Sequence, residues 1–298
     1  TAWFNNRGRL IREWYGGQMY ANVGDADPAD PSLVWLDSHW GELILAKVDY
    51  AKRTWKVQAT YHFAGLADGL VRNTYHGGGR WRVKHRGKQT YLCREDTPCV
   101  LRLDAKADRL IPCVASSLNI RHYWQFQPEI IKQYAAALEG ERGYLWTDLN
   151  ADGRPQQDEV RFFDKNPSWH RGGWHIDDNL DYYFQHDGTV CRLRVKEWTP
   201  KGVPVYAGWD EMEVVAKFPD EIDYRTSSAR DFWRFPDGGI AGALNTETHR
   251  PYGAGWWGAQ VGGNRVLRWD AAGKPLWVVG RHSASRGAAP GEARCFWK

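Results

Sequence analysis

The sequence predicts an all-β chain, a β-propeller of six or seven blades, and three observations predict it. Tryptophan and glycine are abundant, at 18 and 31 of 298 residues, a composition suited to aromatic-rich strands closed by tight turns. Strand-like runs come in pairs joined by polar turns, with little helix between them. The turn centres fall near positions 8, 52, 106, 152, 202, 238 and 273. A period of about 40–50 residues with four short strands per unit marks a propeller. One turn per blade gives six or seven blades, in a circle that chain beyond this sequence completes. A β-sandwich also produces regularly spaced short strands and is the alternative.

Taken in order, the first strand pair is Trp3-Phe4 and Arg9 to Trp14, around Asn5 to Gly8. Asp25, Asp27 and Asp30, interleaved with Pro28 and Pro31, read as a solvated turn. The second pair is Glu42 to Tyr50 and Thr54 to Val57. A fuller unit follows, with strands at Arg80 to Lys84, Thr90 to Cys93, Val100 to Asp104 and Arg109 to Val114. Pro128 to Leu138 has helical spacing in Ile130, Ile131, Tyr134, Ala135 and Leu138, so one short helical insertion is expected there. Later strands run from Val190 to Trp198, Phe232 to Phe235 and Val266 to Asp270, each ending in a turn with glycine. The whole chain, 1–298, reads as a single domain, with a loop-bearing insertion at about 127–163.

Charge is balanced, 40 basic against 36 acidic residues, with no run of one sign. That argues against a nucleic-acid partner. No apolar run approaches the ~20 residues needed to span a bilayer. The strand-like ends and the absence of an initiator Met suggest a piece of a longer or processed polypeptide. Of the five cysteines, Cys93 and Cys99 flank a turn at Arg94 to Pro98, where a disulfide across two strands is one reading and free buried cysteines are the other. No Cys-x-x-Cys spacing supports zinc, thiol redox or haem chemistry.

The most definite chemistry lies at Asp148 to Glu159. Asp148, Asn150 and Asp152 stand at the first, third and fifth positions, Gly153 at the sixth and Glu159 at the twelfth. This is the oxygen-donor pattern of an EF-hand calcium loop, with the Arg154 carbonyl at the seventh position. Gln156 stands at the ninth. The flanks, Gly143 to Thr147 and Val160 to Phe163, read as strands rather than helices. A calcium sensor needs two helices to swing apart; here Ca2+ is expected to staple a hairpin.

Asn264 to Trp277, a strand, the turn Asp270-Ala271-Ala272-Gly273 and a second strand, resembles an NHL-type propeller repeat. Val279-Gly280-Arg281 and Pro290-Gly291-Glu292 fit the same type. With Trp146-Thr147-Asp148 opening an EF-hand- or dockerin-like loop, the chain resembles propeller regions of large secreted bacterial proteins. That resemblance implies an exported protein, in the periplasm or at the cell surface, acting as a binding or scaffolding element.

Two aromatic stretches are candidate ligand sites. Trp169, His170, Arg171, Trp174 and His175 are expected in a glycine-bearing loop that ends in Asp177-Asp178-Asn179. Trp256 and Trp257 form a second aromatic loop. Tryptophan faces suit the apolar faces of sugars. Gly253 to Gly258 matches a dinucleotide fingerprint but lacks the strand and helix that would make it one. The expected function is therefore a calcium-stabilised module binding a glycan or protein in a larger assembly. The alternative is a polysaccharide lyase or glycosidase centred on His170, Arg171 and His175.

Overall fold

In the computed structural model the described residues are 21–38, 41–71, 81–95, 97–117, 143–163, 174–186, 188–219, 229–244 and 265–283, with residue 7 and the short strands 2–4, 10–13 and 295–297. The expected helix at Pro128 to Leu138 lies outside them.

After a two-stranded pair, β1 (Ala2–Phe4) and β2 (Leu10–Glu13), the chain builds successive antiparallel meanders. The first blade is β3 (Ala21–Ala26), β4 (Leu33–Ser38), β5 (Glu42–Asp49) and β6 (Thr54–His62). The second is β7 (Trp81–Arg86), β8 (Gln89–Arg94), β9 (Cys99–Asp104) and β10 (Arg109–Ser117). Its outer edge is extended by a hairpin of β11 (Gly143–Thr147) and β12 (Val160–Phe163). The third blade contains β13 (Trp174–Ile176), β14 (Tyr182–His186), β15 (Thr189–Leu193) and, after an inserted hairpin of β16 (Val195–Trp198) and β17 (Pro204–Tyr206), β18 (Glu213–Lys217). The fourth is β19 (Ala229–Arg234), β20 (Ile240–Leu244), β21 (Arg265–Trp269) and β22 (Pro275–Ser283), with β23 (Cys295–Trp297) on its edge.

The side-chain period of two decides how these sheets stack. In the second blade Leu92, Leu101, Tyr144 and Trp146 face one way, into a core shared with Trp35, Leu43 and Phe63 of the first blade. Their neighbours Tyr91, Cys93, Val100 and Leu145 face the other way, into a core shared with Tyr182, Phe184 and Leu193 of the third. Within the third blade Tyr183 and Val190 turn to meet Phe232, Leu267 and Trp269 of the fourth. Both faces of the middle sheets are therefore buried against a neighbouring blade. A sandwich buries one face per sheet, so the sandwich alternative fails and the fold is an all-β propeller. The first strands lie side by side at the interior: β3 lies against β7, and β13 pairs in parallel with β19 through Trp174 and Asp231.

Four blades are present among the described residues, not six or seven. The expectation counted each turn as a blade. The turns near 238 and 273 both belong to the fourth blade, those near 106 and 152 to one six-stranded sheet, and that near 202 to the hairpin inserted in the third.

Of the two readings of Cys93 and Cys99, the structure has the free, buried thiols. Cys93, Cys99, Cys113 and Cys191 are free and buried. Cys93 stands opposite Val100, and Cys99 opposite Ala115. The two side chains enter different cores, one on each face of the sheet, so their sulfurs point apart.

Candidate functional site: a strand-flanked loop and a charged inner seam

The loop at Asp148 to Glu159 sits between β11 and β12, flanked by strands as its sequence requires. Leu145 and Trp146 are fully buried on opposite faces of β11, so the loop grows from a rigid base. Ala151 and Gly153 take left-handed backbone (φ 58 and φ 77). Glycine adopts this freely, alanine at a cost on the order of 1 kcal/mol. These turns aim backbone N–H groups inward. Asp148 Oδ1 accepts from the Asp152 N–H and its Oδ2 from the Gly153 N–H, each at 3.0 Å. Asn150 Oδ1 accepts from the same Asp152 N–H at 2.8 Å. Glu159 is buried; one oxygen accepts from Trp146 Nε1 at 3.0 Å and the other from the Asn150 N–H at 3.3 Å. Gln156 Nε2 donates to Asp152 Oδ2 at 2.8 Å.

Asp148 is fully buried, and burial, with Glu159 and Asp152 nearby, pushes its carboxyl up to about 6 against the two N–H bonds that favour its charge. A buried carboxylate crowded by two others is an environment that a hard cation relieves. The donor set, all oxygen and all from one short segment, fits Ca2+ in kind. As the side chains stand they turn onto the loop's own N–H groups. Among the described residues no three His, Cys, Asp or Glu side chains gather closely enough to hold a metal ion.

The second feature was not foreseen. The first strands of the four blades are stitched together by ion pairs. Arg82 on β7 binds Glu95 (2.7 Å) and Asp25 of β3 (3.4 Å), and Asp25 also accepts the Val83 N–H at 2.9 Å. His85 meets the buried Asp27 at 2.6 Å. Lys84 reaches Asp178, just past β13, at 2.9 Å. Asp177 binds Arg234 of β19 at 2.7 Å, while its other oxygen accepts from the Asn179 and Asp181 N–H groups. The signal was legible as alternation on β7, where Trp81 and Val83 are buried and Arg82 and Lys84 face the neighbouring first strands. Of the expected solvated turn, Asp27 and Asp30 accept from the Ala29 and Ser32 N–H groups, but Asp25 lies on β3 and Asp27 is buried, and both belong to this seam.

Of the aromatic ligand candidates, Trp169, His170, Arg171, Trp256 and Trp257 lie outside the described residues. Trp174 and His175 are not on a loop: they form β13, paired with Phe184 and Tyr183. The preceding glycines and following Asp-Asp-Asn suggested a loop, yet they bracket a short inner strand. His175 is half-buried. Burial first, then the nearby Lys84 and Arg82, lower its imidazole to about 4, so it is neutral at pH 7.

No family profile matches the chain, and no curated protein matches it in sequence. Among solved structures it is similar to a putative 6-phosphogluconolactonase from Bacteroides uniformis, at 9% identity and TM-score 0.47, covering 99% of this chain and 76% of that one. It is also similar to the β-propeller domain of Cps50 (Swd1) from Myceliophteria thermophila, at 9% identity and TM-score 0.46, over 91% and 77% of the two chains. A third is PorZ, a surface component of the type-IX secretion system of Porphyromonas gingivalis, at 9% identity and TM-score 0.42, over 88% and 34%. The fold assignment rests on sheet order and inter-blade packing rather than on these likenesses. Among the described residues no helix is long and apolar enough to cross a membrane.

Proposed function

We propose that this chain is a calcium-stiffened, extracytoplasmic propeller that serves as a binding or scaffolding module for a glycan or protein partner. The observation that supports it is the strand-flanked twelve-residue loop built around a fully buried Asp148 carboxylate. Asp148, Asn150, Asp152, the Arg154 carbonyl and Glu159 would hold the cation. With strands on both sides, binding stiffens the outer edge of the second blade rather than opening a helix pair. Weak sites of this kind fill where calcium is millimolar, which is outside the cytoplasm.

Melting curves with excess calcium and with chelator test it. At free calcium about 100 times Kd the native state gains about 2.7 kcal/mol, a rise of a few degrees for a domain of this size. Asp148→Ala removes that rise, whereas Arg154→Ala keeps most of it because the backbone carbonyl remains. Superimposable curves for the unaltered chain would sink the calcium reading.

One observation favours a second reading, a carbohydrate-active enzyme. A neutral His175 beside Lys84 and Arg82 offers a base next to cations. Both cations are already paired with carboxylates, so the module is preferred. Release of unsaturated or reducing ends from a polyuronate or a neutral glucan, lost in His175→Ala, would reverse that preference.

A further inference from the structure

A groove of about 560 Å3 runs between the first two blades, outside the charged seam and beside the calcium loop. Its walls come from the end of β6 and the turn after it, from the β9–β10 turn, and from the loop itself through Asp152, Gly153 and Arg154. This volume lies within the range of small-ligand sites. Six non-glycine residues among those described adopt positive φ, and four of them, Ala67, Asp68, Asp108 and Ala151, line this groove. The groove therefore has walls of fixed, strained turns on three sides.

The lining offers charges of both signs. Asp68, Asp108 and Asp152 face the groove with Arg109 and Arg154, and Tyr61 gives its hydroxyl to Asp108 at 2.5 Å. Neither Asp68 nor Arg154 has a side-chain hydrogen bond or ion pair among the described residues. A phosphate ligand calls for a surplus of cations, and a lipid or planar aromatic ligand for a deep apolar wall; this lining offers neither. Carboxylates accept two hydroxyls from one vicinal diol, and guanidiniums donate to ring and hydroxyl oxygens. We propose that this groove is a binding site for a neutral, hydroxyl-rich oligosaccharide, seated against Asp68, Arg109 and Arg154. The inference deepens the binding-module reading and rests on it. It also moves the glycan site away from the aromatic stretches at 169–175 and 256–257.

Calorimetric titration of the whole chain with cellohexaose, maltohexaose and xylohexaose tests it, in the presence of calcium. At least one should bind saturably. Asp68→Asn keeps a residue that tolerates left-handed backbone while removing the charge, and should weaken that binding about tenfold. Arg154→Ala should act similarly without removing a calcium ligand. Thr60→Trp, placing a large ring into the groove from an exposed position on β6, should abolish binding at unchanged melting temperature. Asp178→Asn, on the inner seam, should leave it unaltered. Binding that survives Thr60→Trp overturns the groove while leaving a glycan module with its site elsewhere. No binding to any of the three sugars overturns the oligosaccharide proposal, and the calcium melting curves then judge the module reading separately.

Discussion

His175 shows what a single side chain contributes to this fold. Its imidazole is held at about 4 by burial and by the cations Lys84 and Arg82, against ~6.5 for a free histidine. Between those values the unfolded chain takes up a proton that the native chain refuses. Its contribution is complete above about pH 6.5 and is lost as pH falls toward 4, by up to about 3 kcal/mol. Urea midpoints at pH 7 and pH 4.5 should differ less in His175→Gln than in the unaltered chain; equal differences would remove His175 as the cause. At this scale the turn between β11 and β12 was readable, because the Asp, Asn and Gly residues that shape it, Gly153 at positive φ among them, act locally. The fate of Cys93 and Cys99 was not, because a one-residue change of register sends a side chain to the opposite face of the sheet.

The inserted hairpin β16–β17 shows how one element ties others together. Its turn reaches across the second blade: Tyr91 donates its hydroxyl to the Gly202 carbonyl at 2.8 Å, and Arg102 donates to the Lys201 carbonyl. Lys201 Nζ donates to the Asn150 carbonyl within the loop between β11 and β12 at 2.6 Å, and Arg161 of β12 donates to the Tyr206 carbonyl at 2.7 Å. Trp198 lies edge-on to Tyr91, with the Arg86 guanidinium 4.0 Å from its ring centre. Tyr91→Phe should lower stability by about 1 kcal/mol, since it leaves the Gly202 carbonyl without that donor. Equilibrium urea unfolding measures this, and an unchanged midpoint would mean water replaces the hydroxyl at no loss. The sequence showed the hairpin's turn at Pro200 to Gly202 but not its reach. The break at Arg194, which ends β15 and starts β16, carries no glycine or proline, and only tertiary contacts fix it.

At the scale of the molecule, the described residues form three cores, each shared by two consecutive blades. Leu101 is fully buried in the first, and Leu101→Ala should lower stability by 2–5 kcal/mol on the order seen for buried leucines. Leu276 on β22 is 55% exposed, and Leu276→Ala should stay within about 0.5 kcal/mol. Similar losses for the two would refute this division. The propeller itself was legible because aromatic strands and polar turns recur along the chain. The blade number was not, because the turn count could not separate a blade's own turns from hairpins added at its edge.

The sharing of each core by neighbours alone has a further consequence. Free energy here is distributed like that of a one-dimensional chain of coupled units, each held by the interfaces on its two sides. The first and fourth blades have such an interface on one side only among the described residues, with Trp55 and Val57 of β6 and Trp277 to Val279 of β22 left exposed. Amide protons should therefore be lost to solvent in an ordered front. The strands of the first and fourth blades exchange first, β8, β9 and β14 last, and denaturation broadens into steps rather than a single cooperative break.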